Sequence, residues 1–91
     1  MIKLTEDEIK FMSRCVNKDR VSKQEIGIIL KKLPLAERKE LIERLINAGL
    51  LEKFLAKNPD NKTSKKLTTY FRISEKGYGW LEDYASKFGA I

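Results

Sequence analysis

Nine polar residues and one proline, from Lys57 to Lys66, separate two runs that have the composition of β-strands. The flanking runs, Leu50 to Ala56 and Leu67 to Ile73, are rich in residue types that favour a pleated backbone. The segment between them consists of turn formers and lysines, and it lacks the apolar side chains that a third element would need. The sequence therefore predicts a β-hairpin with a long cationic loop.

Three helix-start signals lie outside this hairpin. Thr5 and Ser22 are each followed three residues later by a glutamate, which is the spacing of a capping box. Ser74 follows the second strand-like run and is the third start. An apolar pair at hydrophobic-staple spacing brackets each start: Leu4 with Ile9, Val21 with Ile26, and Ile73 with Tyr78.

The helix ends divide the chain further. The helix that begins at Ser22 is predicted to end before Pro34, with a turn at about Lys32 to Leu35, because the residue before a proline is pushed out of the α region. A third helix is predicted from about Leu35 to Ala48, with Gly49 where left-handed backbone is tolerated. Residues 1–91 suit a single small domain. Its predicted order is helix–helix–helix–strand–strand–helix, an α+β fold that is mostly helical.

The charge favours a polyanionic partner. Nineteen basic residues against thirteen acidic ones leave a net charge of +6. Residues 1–34 hold eight basic and five acidic residues, and residues 52–66 hold five and two. Residues 35–51, which include the third helix, hold three of each. The excess therefore lies in the first two helices and the hairpin, and a lysine-rich surface without any partner is the alternative interpretation.

The residue types for common catalysis are scarce. Histidine is absent, and the single Cys15 excludes an internal disulfide and a cysteine zinc site. Glu6, Asp7 and Glu8 stand in the first turn of a helix, where the helix dipole explains acids without any catalytic role. Cys15 falls on the apolar face of that helix, which is typical of a buried small hydrophobe. We therefore expect no enzyme and no cofactor.

The N-terminal residues predict an intracellular location. Acids stand where a signal peptide would need an apolar stretch. Among the predicted helices the longest apolar run, Ile28 to Leu30, is far too short to cross a bilayer. We expect a cytoplasmic protein that is associated with the nucleoid, or a nuclear one in a eukaryote, with no membrane contact.

Two motifs resemble those of winged-helix transcription regulators, and the MarR and PadR groups most of all. Leu45 and Gly49–Leu51 fill the pattern that ends the recognition helix in those families. Ser74–Gly77 fills the serine-x-lysine-glycine pattern that follows their wing. The resemblance implies a winged helix-turn-helix domain. Its helix-turn-helix would span about residues 22–48, its wing about 51–73 and its C-terminal helix about 75–88.

This resemblance also implies a DNA-binding regulator and a placement on the double helix. The third helix would enter the major groove by its N-terminal turns, the second would brace against the backbone, and the wing would track an adjacent groove. The positions that match are Ser22, Lys23 and Gln24 in helix two, Ala36, Arg38, Lys39, Glu40 and Glu43 in helix three, and Lys57, Asn61, Lys62, Thr63, Ser64, Lys65 and Lys66 in the wing.

The third helix departs from the usual basic pattern. Glu40 and Glu43 on its exposed face would repel phosphates, and a glutamate reads bases only by accepting from cytosine. In one account the wing and helix two supply most of the affinity, and the N-terminal turn of helix three reads a few bases. In the other, the third helix meets another protein or a second copy, and DNA contact is confined to the wing and the helix ends, as in an adaptor that organises or segregates DNA. A protein-interaction module without DNA binding is the further alternative. The wing lysines also have a simpler role, which is to keep the hairpin edge from pairing with a neighbour.

An aromatic stripe marks the last helix and has two interpretations. Trp80, Tyr84 and Phe88 recur at helical spacing, and Tyr78 adds a fourth ring. The rings either pack on the first helix or form a contact between two copies, since they exceed what a small core needs. We predict a homodimer that binds double-stranded DNA. An effector, the target sequence and the direction of regulation are not encoded in any pattern of the sequence.

Overall fold

The described part of the protein, residues 2–57 and 66–89 of a computed structural model, is α+β and mostly helical. It contains four helices and a three-stranded antiparallel sheet with strand order β1-β3-β2. The elements in chain order are α1 (Glu6–Cys15), β1 (Val21–Ser22), α2 (Lys23–Ile29), α3 (Leu35–Asn47), β2 (Leu51–Lys57), β3 (Leu67–Ile73) and α4 (Glu75–Phe88).

The predicted helix starts are confirmed. The Thr5 hydroxyl accepts from the Glu8 amide at 3.2 Å, and the Glu8 carboxylate accepts from the Thr5 amide at 3.1 Å. Ser22 and Glu25 make the same reciprocal pair at 3.2 and 3.3 Å. The Ser74 hydroxyl accepts from the amide three residues on, at 3.0 Å. Each start thus satisfies backbone donors that an uncapped helix leaves without a partner.

The second helix is shorter than the sequence predicts. It ends at Ile29, before the turn that the sequence predicts at about Lys32 to Leu35, and Leu30 leaves the helical region with φ −100° and ψ 23°. Residues 31–33 form a turn closed by the Leu33 amide, which donates to the Leu30 carbonyl at 2.9 Å. The proline therefore limits only where α3 can begin, and the side chain of Arg38, described below, stabilises the turn.

The short strand β1 was not predicted from the sequence. Val21 and Ser22 pair with Phe71 and Tyr70 of β3, which makes β3 the central strand. Two residues are too few to show the alternation of a strand. In the sequence, Val21 and Ser22 are already explained as the staple residue and the N-cap of α2. The predicted hairpin is confirmed for its strands, since β2 and β3 pair in antiparallel register from Leu51 opposite Ile73 to Lys57 opposite Leu67.

The core lies between one face of the sheet and the helices. Its largest fully buried side chains come from α1, α3 and the segments around the sheet: Phe11, Met12, Cys15, Val21, Leu41, Leu45 and Leu50. Phe71 and Ile73 point into this core from β3, as the predicted alternation requires. Burial raises the pKa of the Cys15 thiol to about 12, which keeps it neutral.

The Ser74–Gly77 motif joins α3, β2 and α4. The Ser74 hydroxyl donates to the Gly49 carbonyl at 2.6 Å, and the Lys76 ammonium donates to the Ala48 carbonyl at 2.9 Å. Gly49 itself is left-handed, with φ 77°. A Cβ on Gly77 would stand 2.6 Å from the Ile73 Cγ2 atom and would overlap the carbonyl oxygen that precedes β2. The motif therefore fixes the C-terminal end of α3 against the sheet.

Candidate nucleic-acid interface

One face of α3 is exposed to solvent and does not pack against the rest of the domain. Leu41 and Leu45 are buried on the inner side of the helix. The predicted contact residues Ala36, Lys39, Glu40 and Glu43 are all exposed on the outer side. The outer face therefore presents one alanine and one lysine towards its N-terminus, followed by two glutamates.

The negative charge of the two glutamates on that outer face is partly offset by Arg44. Arg44 lies 4.0 Å from the Glu40 carboxylate, and its second terminal nitrogen lies 3.8 Å from the Glu8 carboxylate of α1. Glu8 is only 4% exposed, so this arginine also compensates a buried charge. Because Arg44 and Glu40 are both largely exposed, their pair contributes little to stability. It does place a positive group beside one of the two glutamates.

Arg38 serves the fold as well as the outer face. Its Nε donates to the Leu33 carbonyl at 2.7 Å, and its Nη2 donates to the Lys31 carbonyl at 3.0 Å. These carbonyls follow the end of α2, where the helix no longer provides partners. The guanidinium thus bridges α3 to the turn before it. Two of its donors are occupied, so it is a poorer candidate for a phosphate contact than its neighbour Lys39.

At the start of α2, one predicted contact residue is used by the fold and two are exposed. The Ser22 hydroxyl is the N-cap acceptor, whereas Lys23 and Gln24 are exposed. Glu25 is held by Lys18 at 2.9 Å, and this hydrogen bond lowers the pKa of the Glu25 carboxyl. The side chains that remain available at this end are therefore one ammonium and one amide.

The described ends of the hairpin loop are both basic. Lys57 ends β2 and Lys66 immediately precedes β3, and both are exposed. The predicted contacts Asn61, Lys62, Thr63, Ser64 and Lys65 lie outside the described residues. A cationic loop projecting from the body therefore stays a prediction, while the strands that would carry it are established.

One face of the hairpin is covered by a ladder of arginines and rings. Arg72 pairs with Glu52 at 2.8 Å and lies over the Phe54 ring at 4.8 Å. Phe54 and Tyr70 have ring centroids 6.0 Å apart, and Arg20 lies over Tyr70 at 4.3 Å. These contacts stiffen the hairpin where it leaves the body. Sequence reasoning missed both arginines because cation–π contacts join residues that are distant in the chain.

The aromatic stripe of α4 runs from the core to the surface. Trp80 is 7% exposed, and its Nε1 donates to the Ile2 carbonyl at 2.6 Å. Tyr84 stacks on Trp80 with centroids 5.3 Å apart, and Phe88, which is 68% exposed, lies 4.9 Å beyond. Tyr78 donates to the Val16 carbonyl at 3.1 Å and is partly exposed. Trp80 thus packs within its own chain, and a dimer contact, still a prediction, would rest on the other three rings.

The described residues show neither a membrane span nor a metal cluster. In residues 2–57 and 66–89 no helix is long and apolar enough to cross a bilayer. Within the same ranges no three cysteine, aspartate or glutamate side chains are grouped so that they could hold a metal ion. No known protein family, curated protein or solved structure matches this chain.

Proposed function

We propose that this chain is a DNA-binding regulator with a winged helix-turn-helix architecture. One observation carries the proposal: α3 is anchored at both ends while its outer face and N-terminal turns stay exposed, and the hairpin that follows it carries a lysine at each end of its loop. Arg38 anchors the N-terminal end to the turn, and Ser74 and Lys76 anchor the C-terminal end. A helix held in this way can enter a groove without reorganisation.

The proposed contacts divide into those that position and those that specify. Lys23, Gln24, Lys57 and the lysines of the hairpin loop would bind phosphates, which gives affinity without sequence preference. Lys39 would act at the N-terminal half of α3, where a lysine can donate to guanine. Glu43 would accept from cytosine N4, so its negative charge would favour particular bases rather than add affinity.

The phosphate contacts are tested by the salt dependence of duplex binding. We expect the logarithm of the association constant to fall linearly with the logarithm of salt concentration. Replacing Lys57, Lys62, Lys65 and Lys66 together by alanine should make the slope shallower by about 3.6. The control is Lys87→Ala in α4, which removes one exposed positive charge elsewhere and should leave the slope unchanged. An equal slope for the wild type and the fourfold variant would remove the hairpin from the interface.

The role of α3 is tested by Ala36→Glu. Ala36 is exposed in the first turn of α3, so an acid there should be neutral or slightly stabilising for the fold, by about 0.3–1 kcal/mol. In a DNA-facing position the same charge should lower affinity at least about tenfold. Binding that is unaffected by this variant would place α3 away from the duplex.

A protein-interaction module is the second candidate, and two exposed apolar side chains favour it. Leu35 at the start of α3 is 77% exposed, and Ile28 at the end of α2 is 69% exposed. Together they present apolar surface next to the outer face of α3, which suits a protein partner better than a phosphate backbone. If Ala36→Glu leaves DNA binding intact while hairpin variants abolish it, this second arrangement is the correct one.

A further inference from the structure

A cleft of about 320 Å³ lies between α1 and the turn that joins α2 to α3. Its apolar lining is formed by Phe11, residues 28–30 and Leu33. Four cationic side chains and one carboxylate line it: Lys10, Arg14, Lys31, Lys32 and Asp7. All four of these cations belong to the basic excess of residues 1–34, which the predicted contacts at the start of α2 account for only in part.

Three of the cations in this cleft are available to a ligand. The side chains of Arg14, Lys31 and Lys32 are exposed and make no hydrogen bond or ion pair with any other described residue. Lys10 is different, because it pairs with Glu6 at 3.1 Å one turn earlier in α1. Other positive side chains of the body are engaged, among them Arg20, Arg38, Arg44, Arg72 and Lys76.

The backbone that carries the two lysines is fixed. The carbonyls of Lys31 and Leu33 accept from the Arg38 guanidinium, and the Leu33 amide donates to the Leu30 carbonyl. The turn therefore cannot shift without breaking several hydrogen bonds. Since Lys31 and Lys32 are held at the entry to α3, a ligand meets two amines whose backbone positions are already set.

We propose that this cleft binds phosphates of the DNA strand that borders the groove entered by α3, with Arg14, Lys31 and Lys32 each neutralising one of them. The proposal rests on the proposed DNA-binding function and extends the contact surface to Arg14, Lys31 and Lys32. The two lysines lie in the turn that leads into α3, three and four residues before its first residue, at the end of the helix that is expected to point into the groove. A guanidinium matches phosphate geometry through two parallel donors, and the ammonium groups add point charges.

This placement also explains how a helix of balanced charge can act on a polyanion. Residues 35–51 hold equal numbers of acidic and basic side chains, so α3 gains no affinity from its own charge. Cations at the entry to the helix would hold one phosphate strand on that side, and the hairpin lysines would hold another. An acidic peptide fits less well, because the cleft is lined by α1 and by the end of α2 and its turn, and these offer no strand edge to pair with an extended backbone.

The experiment measures salt-dependent binding of the full chain to a random-sequence duplex. Lys31→Ala combined with Lys32→Ala should make the log–log slope shallower by about 1.8, which corresponds to roughly 60-fold weaker binding at 0.1 M salt. Arg14→Ala alone should reduce the slope by about 0.9. The matched control, Lys3→Ala with Lys87→Ala, removes two exposed lysines that also have no described partner and should leave the slope unchanged.

The outcomes separate this inference from the proposed function. If the wild type and the hairpin variant differ in slope but the Lys31/Lys32 variant equals the wild type, the cleft is not a phosphate site and the inference is overturned. If the wild type itself shows no salt-dependent binding, the proposed function fails and the inference fails with it. An equal loss in the control pair would show that total charge alone sets the affinity, and this too would overturn the inference. A thermal midpoint equal to that of the wild type verifies that each variant is folded.

Discussion

Two glycines of α4, two residues apart, respond in opposite directions to the same substitution. Gly77→Ala and Gly79→Ala each add one methyl group within the first half of the helix. A Cβ at Gly79 meets nothing within 4 Å. A Cβ at Gly77 would stand 2.6 Å from Ile73 Cγ2 and would overlap the Leu50 carbonyl oxygen. The pair therefore holds helix propensity constant and varies only the space beside the helix.

The magnitudes follow from these surroundings. Replacing glycine by alanine within a helix gains about 1 kcal/mol from reduced backbone freedom in the unfolded chain. Gly79→Ala should show that gain in full. At Gly77 the gain is opposed by overpacking, which typically costs about 1–3 kcal/mol. The upper part of that range applies because one obstacle is backbone and the other is a buried β-branched side chain. We expect Gly77→Ala to lose about 2 kcal/mol and to differ from Gly79→Ala by about 3 kcal/mol.

Urea unfolding followed by circular dichroism measures both free energies of unfolding. In thermal melts the Gly79 variant should rise by roughly 4–8 °C and the Gly77 variant should fall by roughly twice as much. A third variant, Gly77→Ser, should be at least as unstable as Gly77→Ala, since it has the same Cβ and a further oxygen. If Gly77→Ala is as stable as the wild type, α4 does not approach the start of β2 as described, and the anchoring of α3 through Ser74 and Lys76 is wrong.

Three further predictions concern the turn, the thiol and one carboxylate. Arg38→Lys should lower the free energy of unfolding by about 1–2 kcal/mol, because an ammonium cannot reach both carbonyls of the turn; Lys39→Ala should have almost no effect on the same urea curve. Cys15 should resist iodoacetamide at neutral pH in the native state and react in urea, since burial raises its pKa to about 12; modification at equal rates in both states would contradict its burial. The pKa of the Glu25 carboxyl is lowered in the folded state, so the stability that this carboxylate contributes is present above its unfolded pKa and is lost as the pH falls through its folded pKa. Lys18→Ala should raise the Glu25 pKa towards its ordinary value in an NMR titration. An unchanged Glu25 titration in this variant would exclude the Lys18–Glu25 ion pair.

Local signals in the sequence predict most of the elements of this fold. Thr5, Ser22 and Ser74 begin helices because side-chain caps act within three residues, a range that sequence spacing shows directly. Gly49 ends α3 because left-handed backbone favours glycine. The strands β2 and β3 lie within one residue of their predicted bounds.

The features that the sequence did not predict depend on contacts between distant residues. The turn after α2 is set by Arg38 of α3, and no local pattern indicates that a guanidinium ends the preceding helix. The pairing of Val21 with Phe71 joins residues that are 50 positions apart in the chain, so this two-residue strand has no local signature. For the same reason Arg20 and Arg72, which stack on rings of the hairpin, could not be separated by sequence from basic residues that are free to bind a partner.

The central claim, that α3 and the hairpin face DNA, is tested most directly by two-dimensional NMR of the ¹⁵N-labelled chain titrated with a short duplex. The account predicts shifts of the amide signals of residues 31–40, of Lys23 and of the lysines at both ends of the hairpin loop. Signals from the C-terminal half of α4, including Lys87, should stay in place. Shifts confined to α4, or no shifts at low salt with excess duplex, would contradict the account.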